Sequence, residues 1–490
     1  MTAERYYVAV VDFGKTNKKV LLYDRDLQVK RIERKTFEEI EIEGLRCDDL
    51  NGAMEFVYES LRRLAGEFSP IRAVSFTTHG ASVLTLDGEG NLVFPPVSYD
   101  HSPPPELYEE FYKEFGDRRR LQARTMTPPF PFLINPGIGL FFLKKHDPER
   151  FERIERILFL PQYLGFLMTG RPACEPTYVG CHTYLWDFEA ARPSHVAEGL
   201  GVADKMDLPL KKPWDVQGTV KKELAERLGL PSDCVVTCGI HDSNASLLPY
   251  LLKEPERDFV LNSTGTWCVA MSPRGSFPLA EEELGREIFF NLSAFGKPVK
   301  TTIFRGGAEF AFWSEKLGGG TPHPEVLDAD LAAEVVERRA CVLPTLYAGS
   351  GMFPKSYPSL VRADYLLEDP LRAYLALDLS LAVQSRVALL ATSAGSSPTI
   401  FIEGGFRNNA PYCSLLAALM PESEVYLSNL AEATAFGAAI LGVCAVEGVE
   451  PAAVAGRFAI ETQPVPAVSI PDLEAYREDF VRFAQTVAGR

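Results

Sequence analysis

Asp12, Gly14 and Thr16 close an apolar run over residues 6–12 and open the polar turn that follows it. A carboxylate at a strand end, a glycine turn with exposed N–H groups and a hydroxyl suit a phosphate bound with Mg2+, because that ion takes few protein carboxylates and keeps several waters. Lys15 and Asn17 belong to the same turn. Two other motifs share these letters and fail. Gly14, Lys15 and Thr16 end like a P-loop, but Ala9 stands where that motif needs a glycine. Asp12, Phe13 and Gly14 spell a protein-kinase triplet, yet nothing upstream of residue 12 supplies its nucleotide lysine or catalytic loop.

His241, Asp242 and Ser243 follow a second apolar run, residues 235–239, at what reads as a helix start. A carboxylate there can take the proton of a bound alcohol while the helix N-terminus helps keep it ionised. An N-cap aspartate with no other duty is the plain alternative. Thr264, Gly265 and Thr266 form a tight turn whose hydroxyls and N–H groups can hold outer phosphates from the opposite side. Gly404, Gly405 and Asn408 lie between a strand at 399–403 and a helix from about 410, offering a close-approach surface for an adenosine. Each segment alone is an ordinary turn. Together they supply what γ-phosphoryl transfer from ATP needs: phosphate cradles, a metal ligand and a base for the incoming hydroxyl.

The elements that must position these groups repeat. The opening reads as a hairpin, apolar run, Gly turn, apolar run, and the pattern returns at residues 258–271. That spacing, about half of the 490 residues, argues for two domains of related build and not a short-period repeat. We divide the chain at 1–238 and 239–490. Residues 82–87, followed by Gly88 and Gly90, read as another hairpin. Residues 378–394 read as an apolar helix, 431–442 as a small-residue helix suited to close packing, and the tail, with Leu473, Tyr476 and Phe480, as a docking helix.

Composition excludes several classes. Fifty Lys plus Arg against 66 Asp plus Glu leave a formal charge of −16, which repels nucleic acid and anionic lipid. No stretch approaches the roughly 18 to 20 apolar residues of a membrane span, and the start shows no signal-peptide pattern, so a cytoplasmic protein is expected. The nine cysteines form no CxxC pair and read as reduced core residues; the seven histidines lack zinc-ligand spacing, so no zinc site is expected.

In their joint order, Asp12-Gly14-Thr16, Gly239 to Asp242, the Ser263 to Thr266 turn and Gly404-Gly405 resemble the FGGY carbohydrate kinases over nearly all of residues 6–445. His241-Asp242-Ser243 and Ser263 to Trp267 look most like the L-rhamnulose and L-fuculose kinase branch. Thr78 to Ala81 is closer to xylulose kinases, and Tyr99-Asp100-His101 lacks the arginine that often follows the aspartate in relatives.

The resemblance implies an α/β fold of two ribonuclease-H-like, actin-like ATPase domains, each a mixed five-stranded sheet, with an interdomain cleft. It implies an ATP- and Mg2+-dependent kinase acting on a small sugar, first of all at O1 of L-fuculose or L-rhamnulose; D- or L-xylulose and ribulose stay open, as does, more distantly, a non-enzymatic actin-like nucleotide-gated protein. Carried over, Asp242 is the base, and Asp12 with Asp242 holds the metal. Gly14, Lys15, Thr16, Asn17, Thr264, Gly265 and Thr266 meet the phosphates, and Gly404, Gly405 and Asn408 the adenosine. His79, Gly80, Asp100, His241, Asp242 and Arg305 form the sugar pocket. A homodimer is left open.

Overall fold

The computed structural model describes residues 5–317, 320–346 and 349–486. The opening apolar run is β1 (Tyr7–Phe13), which turns into antiparallel β2 (Asn17–Asp24) and then β3 (Val29–Thr36). β1 reads as a continuous apolar run because it is buried on both faces and takes a parallel partner as well, β4 (Ile71–Thr78). β5 (Val216–Thr219), β6 (Val235–Thr237) and β7 (Ile240–His241) complete the sheet in the order β5-β6-β4-β1-β2-β3, with β7 beside β4.

The second half repeats the plan. β8 (Phe259–Thr264) and β9 (Cys268–Ser272) make the expected hairpin. With β10 (Ile288–Leu292), β11 (Pro298–Phe304), β12 (Thr399–Gly404), β13 (Val425–Ser428) and β14 (Thr462–Pro464) they form a sheet in the order β10-β11-β9-β8-β12-β13-β14. In both sheets an antiparallel three-strand meander runs into two parallel strands, β3-β2-β1-β4-β6 in the first and β11-β9-β8-β12-β13 in the second. This is the five-strand plan, but each sheet has seven strands because two more are added at its margins.

α1 (Asp242–Lys253) follows β7, so the chain leaves the first sheet at His241 and enters the second at Phe259. α2 (Pro370–Thr392) starts earlier than expected because Asp369 caps it, accepting from the Leu371 N–H, and Pro370 sits in its first turn. It corrects one expectation: α2 is long and apolar enough to cross a membrane, at mean hydropathy 1.4, but 78% of that window is buried in the domain core. α3 (Ala433–Glu447) presses on α1 so closely that a Cβ on Gly437 would lie 1.9 Å from the Ala245 carbonyl oxygen. That is the close packing its small residues suggest.

Residues 82–87 differ from expectation. The Gly88 and Gly90 turn forms, but its return makes a single bridge, Leu86 to Leu92, and Val83–Leu86 pairs instead with Arg156–Phe159, far along the chain. The tail helix, Leu473–Thr486, buries Leu473, Tyr476 and Phe480 in the second core. All nine cysteines are buried and free.

Candidate active site

A cleft of about 800 Å3 lies between the two sheets, lined by residues of both. Asp242 enters it because β7 ends one residue earlier. His241 is held by its backbone N–H, which donates to Thr177 Oγ1 at 3.0 Å, and has extended dihedrals that let α1 begin at Asp242. The Ser243 N–H donates to Asp242 Oδ1 at 2.6 Å, and His241 Nε2 lies 3.2 Å from the same oxygen. Burial raises the pKa of Asp242, while His79 and the Ser243 N–H and hydroxyl pull it back. A carboxylate so placed is a stronger base than an exposed one.

Asp12, at the end of β1, lines the same cleft. Burial pushes it up to about 6; Lys19 opposes, and the charges of Asp242 and Glu432 add to the rise. Lys19 stands opposite Asp12 in the β1/β2 register, with Nζ 3.6 Å from Asp12 Oδ2, and is also ion-paired to Glu432. Arg34 also reaches Glu432, at 3.8 Å, so the carboxylates of Asp12, Asp242 and Glu432 stand against two cations, and the remaining excess of oxygen donors fits a hard divalent cation such as Mg2+.

Thr16, Thr264, Gly265, Thr266 and Gly404 line the cleft beside these carboxylates. Lys15 lines it too, but its ammonium is held by Asp48, by Ser98 Oγ at 2.7 Å and by Glu39 at 2.7 Å. Gly14, Asn17, Gly405 and Asn408 do not line it. Asn17 opens β2 and accepts from Thr36 Oγ1 on β3 at 2.9 Å. Asn408 is exposed at the end of the short turn Gly405–Asn408, and Arg407 lines the cleft in its place.

The family's sequence models match twice: FGGY family of carbohydrate kinases, N-terminal domain, over residues 7–249, and carbohydrate kinase FGGY, C-terminal domain, over residues 256–451. The chain belongs to the FGGY carbohydrate kinase family. The rhamnulokinase of Halalkalibacterium halodurans is 26% identical over 283 residues, 56% of this chain and 57% of its own. The L-fuculokinase of Salmonella typhi is 24% identical over 273 residues, 55% of this chain and 57% of its own. The chain thus spans about half the length of the curated relatives it matches. The crystal structure of a carbohydrate kinase from Novosphingobium aromaticivorans agrees at a TM-score of 0.80 and 28% identity, covering 96% of this chain and 97% of that one. The two sheets of this FGGY chain accordingly form a two-domain, actin-like ATPase fold.

His79, Gly80, Asp100, His241 and Arg305 line the same cleft in this FGGY chain. Arg305 lies 4.5 Å over the Trp267 ring. The sequence offered no signal for several neighbours. Asn291, on β10, reaches the cleft because that added strand leans on the first domain, where Gln122 Nε2 donates to the Ile288 carbonyl at 2.8 Å. Cys181, His182, Glu403, Arg407 and Glu432 also line it. Lys19 was findable from the hairpin register alone. His79 Nε2 and Asn291 Oδ1 are buried without a hydrogen-bond partner among the described residues, a costly state that bound hydroxyls would relieve. Beside them Ala81, Phe130, Ile134, Phe289 and Ile303 form an apolar wall with Tyr99 and Trp267 packed on it.

Proposed function

We propose that this chain is an ATP-dependent sugar kinase that phosphorylates O1 of a 6-deoxy ketohexose, L-rhamnulose or L-fuculose. The first half, residues 1–238, binds the sugar, and the second, 239–490, the nucleotide. The observation that carries the reading is the position of Asp242: a carboxylate with a raised pKa, at a helix start inside a cleft that is also lined by a phosphate-type turn and by orphaned polar atoms.

In the reaction, Asp242 orients the sugar O1 hydroxyl and accepts its proton as the O1–phosphorus bond forms. The bond from the γ-phosphorus to the β–γ bridging oxygen breaks, releasing ADP and the sugar 1-phosphate. Asp12, with Asp242, is the carboxylate set for Mg2+, which supplies charge neutralisation to the phosphates. Thr16, Thr264, Gly265 and Thr266 hold phosphate oxygens, and Gly404 lets the nucleotide approach the backbone.

His79 and Asn291 take sugar hydroxyls, and the apolar wall around Phe289 and Ile303 faces the 6-methyl group. A panel of L-rhamnulose, L-fuculose, L- and D-xylulose, L- and D-ribulose and glycerol, scored by ADP production, tests this. The 6-deoxy ketoses are expected to give the highest kcat/KM. ADP release that is independent of any added ketose contradicts the kinase reading, and a preference for xylulose contradicts the sugar assignment.

A further inference from the structure

Cys181, His182 and His241 are all buried, and one ligand atom from each lies within 4.8 Å of the others, the one such histidine and cysteine group among the described residues. They come from two places in the chain, 60 residues apart for Cys181 and His241, which is why no ligand spacing is visible in the sequence. Cys181 Sγ is 3.6 Å from His241 Nε2. Asp242 Oδ1 is 3.2 Å from that same nitrogen.

These separations have a meaning. With zinc–nitrogen bonds of about 2.0 to 2.1 Å and zinc–sulfur bonds of about 2.3 Å, a tetrahedral site has nitrogen–sulfur edges of about 3.6 Å and nitrogen–nitrogen or nitrogen–oxygen edges of about 3.4 Å. The Cys181 distance from His241 matches the nitrogen–sulfur edge; Asp242 approaches His241 but stands outside the group of mutually close ligand atoms, which leaves the fourth position to a water or an added ligand. A Cβ built on Gly80 would lie 2.9 Å from His241 Nε2 and 3.1 Å from His182 Nε2, so both nitrogens face one small space that the glycine leaves open. His182 Nδ1 is buried without a hydrogen-bond partner among the described residues, and Nε2 is the ring nitrogen that faces the space beside Gly80. Without a metal, the thiol and imidazole simply share a hydrogen bond.

We propose that Cys181, His182 and His241 form a three-ligand binding site, beside Asp242, for a borderline-soft divalent cation such as Zn2+, and that occupancy shuts the enzyme down. The chemistry differs from the Mg2+ set: thiolate and imidazole select zinc or cobalt, whereas Mg2+ prefers oxygen. The ion would sit beside Asp242, where its charge lowers the basicity of the carboxylate and its bulk crowds the cleft around Gly80. Only this inhibitory consequence rests on the proposed role of Asp242; the binding itself does not.

The test separates the two. Co2+ is titrated into the full-length, reduced protein without sugar or nucleotide, and the absorption spectrum is read for tetrahedral d–d bands and a thiolate-to-cobalt band. One equivalent giving both is expected. Even outer-shell partners of a metal are worth about 10–100-fold in affinity, so Cys181→Ser should weaken binding by more than about 100-fold and lose the thiolate band. Absence of a tetrahedral thiolate spectrum in the wild type overturns the site, as does its survival in Cys181→Ser. Should that variant not fold, His182→Gln is titrated instead, and unchanged affinity overturns the site. In assays of ADP production with a ketose, Zn2+ at the concentration that displaces cobalt is expected to inhibit more than tenfold, reversibly by chelation. Cobalt binding with no zinc inhibition overturns the inhibitory role and leaves the spectroscopic result standing.

Discussion

Thr264 and Gly404 lie opposite each other in the parallel β8/β12 pair, so close that a Cβ on residue 404 would stand 2.0 Å from the Thr264 carbonyl oxygen. Thr264 Oγ1 donates to the Glu403 carbonyl and accepts from the Phe406 N–H at 3.0 Å. The turn after β8 and the turn after β12 are therefore one surface, and Gly404, at φ +81°, is the residue that lets it close.

Gly404→Ala must both strain a left-handed dihedral, at about 1–3 kcal/mol, and push the strands apart. We expect a lower Tm and ATP binding weakened at least tenfold, whereas Gly405→Ala, whose Cβ would stand an ordinary 3.7 Å from the Thr264 carbonyl oxygen, stays near wild type. Calorimetric titration of ATP into both variants checks this; equal affinities contradict it.

Turnover should fall on acidification. The account needs Asp12 and Asp242 ionised, and burial has raised both, Asp12 to about 6. Activity is present above these pKa values and is lost as pH falls through them. The acidic limb of kcat/KM is expected near pH 6; a limb near pH 4, the ordinary carboxylate range, contradicts it.

Stability should depend on pH through other groups. Burial pushes Glu175, Glu287, Glu309 and Glu403 up to about 7, so between pH 8 and 6 the native state binds protons that the unfolded chain, at about 4.3, does not. Stability therefore rises as pH falls across that window. Below about 6.5 the unfolded chain protonates histidines that burial holds near 4 (His79) and 3 (His182 and His241) in the native state, which opposes the gain. Scanning calorimetry should show Tm higher by several degrees at pH 6 than at pH 8, then level. A Tm that rises steadily toward pH 8 contradicts this.

Asn291→Ala should raise KM for the preferred ketose by up to about tenfold, the worth of a typical hydrogen bond, with KM for ATP unchanged. Steady-state kinetics varying each substrate decides it; an effect confined to ATP contradicts the placement of Asn291 among the sugar-binding groups.

What could be read from the sequence is what sits at element ends. Asp12, Thr16, Asp242, Thr264 to Thr266 and Gly404 line the cleft because each directly ends a strand or starts a turn or helix, where a local pattern suffices. Asn291 and Glu403 lie within strands whose partners are set by long-range pairing, and Cys181 meets His241 only through tertiary packing. Lys15 reads as a phosphate ligand by charge, yet Asp48 and Glu39, from a separate strand pair, hold its ammonium. Asn408 follows the glycines as expected, but the tight turn carries it outward.

The central claim is that Asp242 removes the proton from the acceptor hydroxyl. Asp242→Asn keeps the shape of the side chain and removes its basicity. ADP production by this variant with the preferred ketose, measured beside ATP affinity in the same preparation, tests the claim most directly. Turnover lowered about 10²–10⁴-fold or more with ATP binding nearly intact is the expected result; turnover within a few-fold of wild type contradicts the account.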